Sequence, residues 1–369
     1  MKQQLGKLGL REYISIAILM VGAKATEDTP IHLFSKVQNA SWMIPILSAG
    51  IFFIPLFLLL KTMTLFQDKD LFSVIQKLLG KYLGFMVCLL IFLISSYAIS
   101  FDTRSYANII RTFYFTTTPN LIIYALLMVV CTYGARKGIQ HIGSVAYLVI
   151  YLSVFSLWFA LVLCTQKSTF QAIFPIWGPG KLEILKQSSQ KLTLFADFFL
   201  FTMLIPFLTS IKQYKKGTWF AFVYVSLQIS VAILIYICLF DVGMDGLAYP
   251  FHTAIRFISI GSFLPNVEII FFVTWLMSAF IRFTAFLYLN SLMFGHLFKI
   301  KDFEYVIPSL ATIYLLIGSI PEAAVNASTE FKALSLNISG PAFAAISIIL
   351  WLAALLKGEF KREKNRNSM

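Results

Sequence analysis

The sequence predicts an all-α integral membrane protein of ten spans in one domain, 1–369, built from two related halves of about 11–165 and 190–357 with a basic tail at 358–369. Composition is the first reason. The chain is 59% hydrophobic and only 13% charged, with a mean hydropathy of +0.80, whereas an ordinary soluble domain is roughly 25% charged. Distribution is the second: apolar segments of spanning length recur from end to end, with no polar interval large enough for a separate domain. The third is that interrupted spans stand at matching places in the two halves, the best sequence pointer to an inverted-repeat transporter fold.

Taken in order, the expected spans are 11–33, 41–60, 82–115, 119–135, 138–164, 192–211, 217–240, 263–296, 304–321 and 340–357. The first opens in "YISIAILM" (Tyr13–Met20) and is interrupted at "VGAKATEDTP" (Val21–Pro30). Because a polar stretch precedes this run and no small-residue cleavage site follows it, it is expected to remain in the mature chain. Its counterpart, the sixth, carries Asp197 and Pro206. The third and eighth are both about 34 residues, roughly 50 Å of helix against a core of about 30 Å, so both must tilt or protrude.

Two connections carry helical patterns of their own. "DLFSVIQKLLGKYLG" (Asp70–Gly84) spaces Leu71, Val74, Ile75, Leu78 and Leu79 for an amphipathic helix along the inner surface. "YPFHTAIRFISIGSFLP" (Tyr249–Pro265) looks like its outer counterpart, and the linker from Lys167 to Gln187 divides five spans from five.

An even number of spans puts both termini on one side. If that side is the cytoplasm, inner segments hold 19 of the 30 Lys and Arg, outer segments hold 8, and Arg104, Arg111 and Arg282 fall within spans. This positive-inside bias sets both termini in the cytoplasm. It also accounts for the net charge of +13, which in a soluble chain would point to nucleic acid and here does not. The 37 Phe, 16 Tyr and 6 Trp suit lipid-facing surfaces and interfacial belts.

A helix interrupted inside a membrane exposes backbone groups that lipid cannot satisfy, so it persists only where it faces a cavity or a ligand. Gly22 is expected to permit the turn, with Ala23 and Ala25 allowing close approach. Half-helix ends near the midplane offer N–H groups to a carboxylate and carbonyls to an ammonium, as a zwitterionic ligand requires. Lys24 has two readings. Either its ammonium faces the cavity, binding a ligand carboxylate or standing where a coupling cation would, or it pairs with Glu27 or Asp28 in an outer vestibule.

The long spans hold Asp102 and Arg104, and Glu268 and Arg282. Counted along the helices, Glu268 and the Asp102/Arg104 pair fall near the outer side and Arg282 near the inner side, which predicts a Glu268–Arg104 pair. Asp197 or Glu268 is also a candidate proton-carrying carboxylate. No metal or other cofactor is implied: the four cysteines and four histidines lack ligand spacing. With no H-E-x-x-H, G-x-S-x-G or Walker A sequence, an enzyme is the weakest reading.

The stretches Ser100–Pro119, Tyr249–Trp275 and Phe280–Asp302 together resemble the B-subunit, or spore permease, family of endospore germinant receptors, within the amino acid permease superfamily. The likeness runs from "YISIAILMVGA" to the basic tail. It implies a LeuT-like five-plus-five fold with broken first and sixth helices, a place in the spore inner membrane, and receptor A and C subunits as partners beside membrane lipids. It further implies sensing of a small nutrient, often an amino acid, with a proton-coupled amino acid permease as the alternative. Positions carried over as ligand-facing are Gly22, Ala23, Tyr97, Leu200 and Phe283, with neighbours Phe201 and Thr284. The chain departs from the family pattern in two places. Lys24 and "TED" intervene after the break, and Phe201 and Met203 stand where the family often has Gly and Glu.

Overall fold

The computed structural model describes residues 7–67, 69–258, 267–323 and 327–366. Among these the secondary structure is helical, apart from an isolated bridge between Leu8 and Leu208. Six helices are long and apolar enough to cross a membrane: Met43–Thr64, Lys81–Phe113, Ile139–Thr165, Ile211–Gly246, Glu268–Phe298 and Ala327–Leu356. Their outward faces are apolar, with Phe57, Leu148 and Phe155 all exposed, so this is an integral membrane protein. Asn120–Arg136 and Phe303–Gly318 are shorter apolar helices, and Lys181–Gln190 joins Leu192–Phe207 as a pair bent by 46°.

We label the elements α1 (Leu10–Gly22), α2 (Thr29–Val37), α3 (Met43–Thr64), α4 (Leu71–Leu79), α5 (Lys81–Phe113), α6 (Asn120–Arg136), α7 (Ile139–Thr165) and α8 (Lys181–Gln190). They continue as α9 (Asp197–Leu200), α10 (Ile211–Phe240), α11 (Pro250–Phe257), α12 (Val267–Phe298), α13 (Ile307–Gly318), α14 (Ala333–Leu356) and α15 (Glu359–Arg366). The centre is built by α1, which packs on α7, α10 and α12, while α14 packs on α3 and on the 3-10 turn at Leu192–Phe195.

Local chemistry explains the two breaks. The first helix runs into a 3-10 turn at Ala23–Ala25, and α2 begins with Pro30 in its first turn. Proline has no N–H to return to the carbonyl four residues back, so Pro30 is accommodated without loss in the first turn of a new helix. Gly22 plays a different part from the one expected: its φ of −64° is ordinary helix. A Cβ there would lie 2.8 Å from the Gln228 amide, so the glycine leaves room for that side chain to reach the break and is not called for by the turn. In the second break, Leu192–Phe195 and Phe201–Phe207 are 3-10 and only the four residues of α9 between them are α-helical. Gly340 lets α14 cross this break closely, because a Cβ there would fall 2.0 Å from the Thr193 backbone nitrogen.

The expected amphipathic segment forms α4, capped by Asp70, whose carboxylate accepts the Ser73 N–H at 2.7 Å. Leu71, Val74, Ile75 and Leu78 are buried, as their spacing demanded. The outer counterpart forms α11 over Pro250–Phe257, and its continuation through 259–265 lies outside the described residues, as does the expected start of the eighth span at 263–266.

Candidate ligand site at the two helix breaks

Breaking α1 frees carbonyl groups, and three of them acquire donors from neighbouring helices. Gln228 Nε2 donates to Gly22 O at 3.2 Å, Tyr236 OH to Ala25 O at 3.1 Å and Arg282 Nη1 to Met20 O at 2.6 Å. The backbone cost of the interruption is thereby met by side chains.

Around these donors lies a buried ionic cluster. Lys24, 4% exposed, pairs with Asp197 at 2.6 Å, and its ammonium also donates to Thr193 O and Leu194 O, both at 3.0 Å. This one side chain fastens the first break to the second. The reading in which it pairs with Glu27 or Asp28 in an outer vestibule therefore does not hold, and Lys24 instead lines a cavity. Arg282, 1% exposed, binds Asp102 at 2.7 Å and lies 3.9 Å from Glu27. Lys332, also 1% exposed, lies 3.1 Å from Glu27 and 3.6 Å from Asp102 and makes a short contact with Asp28. Asp28 further accepts from Ser105 at 2.9 Å and Ser328 at 2.7 Å, with His32 3.8 Å away. Three cations thus face four carboxylates, so removing a cation leaves buried carboxylates uncompensated, which is costly.

Two small cavities adjoin the cluster. One, of about 30 Å³, is bounded by Lys24, Glu27, Asp102, Asp197, Leu200 and Phe286, with Ser95, Ser335 and Ser339 supplying hydroxyls. It has room for a water or two and not for an amino acid. The other, of about 50 Å³, lies behind the break, where Gly22, Ala23 and Thr26 meet a hydroxyl ladder on α7 and α12. In that ladder Ser156 bonds Thr274 and Ser278 bonds Ser153, each at 2.8 Å.

The residues singled out in the sequence divide accordingly. Lys24, Asp102, Asp197 and Arg282 come together at the cluster, and Leu200 lines its cavity. Gly22 and Ala23 face the second cavity. Tyr97 donates to Phe331 O at 3.0 Å, beside Lys332. Phe283 packs edge-on to Tyr106 at 4.7 Å under the Arg282 guanidinium, 5.8 Å from its ring. Phe201 stacks edge-on to Tyr13 and Phe198, at 6.0 and 5.7 Å, and Thr284 points at Gly134 of α6, so neither lines these two cavities.

Two expectations about charge are corrected. Glu268 pairs with Arg256 at 3.2 Å on a partly exposed face, and among the described residues Arg104 forms no ion pair. Arg282 is not near the inner side but beside Asp102, at the break. Counting inward from the helix ends misplaced Arg282, which stands at the middle of the 32-residue α12 where that helix packs on α5. Lys332 is not among the residues the sequence singles out, and it falls there with the basic residues of the outer segments. A lone lysine leading directly into the apolar run "ALSLNISGPAFAAISIILWL" was the available signal, since intramembrane charges mark functional positions.

The fold has solved parallels. MhsT, in complex with L-phenylalanine, superposes with a TM-score of 0.68 at 15% identity, covering 93% of this chain and 88% of that one. MHP1, a nucleobase-cation-symport-1 family transporter with bromovinylhydantoin bound, gives 0.65 at 14% identity, covering 94% and 78%. In sequence, spore germination protein KB of Bacillus subtilis (strain 168) is 26% identical over 61% of this chain and 62% of its own length, so the match spans about three fifths of that relative. Spore germination protein B2 of the same organism is 22% identical over 72% of this chain and 73% of its own. Spore germination protein A2, also from Bacillus subtilis (strain 168), is 25% identical over 78% and 80%. The family model for spore germination proteins of the permease type matches residues 13–327, and the chain belongs to that family.

Proposed function

We propose that this chain is the membrane subunit of a germinant receptor, which binds a small, amino acid-like nutrient at the junction of its two broken helices and passes the change to A and C subunits in the spore inner membrane. Ten spans, arranged as five plus five inverted repeats with both termini in the cytoplasm, complete the reading. Six long helices, two shorter apolar ones, the bent pair at 181–207 and the α1–α2 segment are compatible with that number, and the basic residues favour that orientation.

The observation that carries the proposal is the Lys24–Asp197 pair at 2.6 Å, which clamps one break to the other. A zwitterion offers the same two charges, so its carboxylate competes for Lys24 and its ammonium for Asp197 and Glu27. The cavity of about 30 Å³ is too small to admit it without parting the clamp, so binding and movement are coupled. A ligand shifts a conformational equilibrium only through differential affinity for its states, and competition for a clamp supplies that difference.

The transporter fold favours one other reading, a proton-coupled amino acid permease, in which the same opening alternates between two sides. Neither reading calls for enzymatic chemistry. The test is germination: a spore-forming host lacking its own receptors, given this chain with its partner subunits, should respond to a nutrient that Asp197→Asn spores ignore at equal protein level. An unaltered response in that variant removes the clamp from the site.

A further inference from the structure

Far from the central cluster, a groove of about 1100 Å³ opens where the start of α5 meets the end of α12, on the face proposed as cytoplasmic. Its walls are apolar: Tyr82 and Met86, 83% and 62% exposed, face Leu292, Leu297 and Ile300. Its charged lining residues are nearly all basic. Lys81, Lys299 and Lys301 all line it, and among the described residues none of the three forms an ion pair. Asp70, the acid in the lining, is already engaged by His296 at 3.4 Å and by the Ser73 N–H. The chain reverses at Lys299, whose φ of 57° and the Ile300 N–H to Gly295 O bond at 2.8 Å place both later lysines on the groove.

We propose that this groove binds an anionic glycerophospholipid, its phosphate diester among Lys81, Lys299 and Lys301 and an acyl chain along α5. Continuity argues for a lipid. Met86, Leu90 and Leu93, at helical spacing and each at least 50% exposed, extend the wall directly into the lipid-facing surface of a membrane-length helix. Charge argues for an anionic one, because basic pockets at the cytoplasmic ends of spans select acidic headgroups. The start of the chain's own tail is engaged elsewhere, with Glu359 3.9 Å from Lys77 and Phe360 under Lys61. The consequence reaches the cluster, since α5 carries Asp102 and α12 carries Arg282. A lipid seated between their ends favours the arrangement in which those ends stand this close.

The test uses the full-length protein reconstituted with phosphatidylglycerol diluted in phosphatidylcholine, with retained lipid counted by native mass spectrometry. At about fivefold per lysine, the triple variant Lys81→Gln, Lys299→Gln, Lys301→Gln should lose on the order of a hundredfold of its preference for phosphatidylglycerol. A matched Lys→Arg triple should keep it, and carries the test together with Lys81→Gln alone if the first variant unfolds. Equal retention of phosphatidylglycerol by parent and Gln variants overturns the proposal. So does its displacement from the parent by inorganic phosphate, which marks a simple anion site, or by an acidic peptide, which marks a protein-docking surface.

Discussion

Removing the Lys332 ammonium isolates what the ionic cluster contributes. Lys332→Met keeps most of the side-chain volume and deletes one charge facing Glu27 at 3.1 Å, Asp102 at 3.6 Å and Asp28 in close contact. At an effective dielectric of 20, the two measured distances each correspond to roughly 5 kcal/mol of gross attraction. The net loss is capped below that sum, because the variant can take up a proton on one abandoned carboxylate. For a carboxyl of ordinary acidity, near pH 3.9, that costs about 4 kcal/mol at pH 7 and about 1.5 kcal/mol at pH 5. The variant should therefore unfold about 4 kcal/mol more easily than the parent at pH 7, within the range measured for broken buried ion pairs, and the deficit should shrink by about 1.4 kcal/mol for each unit of acidification. Equilibrium unfolding by denaturant in mixed micelles, repeated at both pH values, reads this directly. Adding Asp28→Asn should recover much of the loss at pH 7. A deficit below about 0.5 kcal/mol, or one that does not depend on pH, refutes the reasoning.

Other parts of the structure give sharper contrasts. Glu268→Gln, at the partly exposed pair with Arg256, should change stability by no more than about 1 kcal/mol in the same unfolding measurement. Gly340→Ala should be among the most damaging single changes, since its methyl meets the Thr193 backbone at 2.0 Å; loss of folded yield in size-exclusion chromatography checks it. His252 on α11 sits among Trp275, Phe113 and Tyr114, where burial first, opposed by the Thr26 backbone carbonyl, which accepts from the ring, and reinforced by the nearby Arg256 charge, depresses its pKa from 6.5 to about 3. Between those values the unfolded chain binds a proton that the folded one does not. Its contribution is fully present above pH 6.5 and is lost toward pH 3, by up to about 1.4 kcal/mol per unit, and His252→Gln should flatten that part of the stability profile.

What the sequence made legible was the part governed by spacing and composition. The long apolar runs at Met43–Thr64 and Ile139–Thr165, the amphipathic turn at Leu71–Leu79 and the break after Gly22 all follow from local rules, and each falls within a few residues of its expected place. The identity of charge partners did not follow, because it depends on which helices pack together in three dimensions. Asp102 and Arg282 are 180 residues apart and were assigned to opposite sides, yet lie 2.7 Å from one another. Lys332 lies 304 residues from Asp28, and only the return of α14 across the second break brings it to the first. Gly22 shows a subtler limit: the residue type marked the right place for a different reason, close approach by Gln228 rather than backbone freedom.

The proposal that Lys24 and Asp197 form a ligand-displaced clamp is tested most directly by measuring binding and uptake of a labelled amino-acid panel by the purified protein in sealed proteoliposomes, with Lys24→Met in parallel. A sensor of this design gives saturable binding near one ligand per protein, no accumulation in the lumen, and loss of binding in Lys24→Met. Accumulation well beyond one ligand per protein, or binding that Lys24→Met leaves intact, contradicts it.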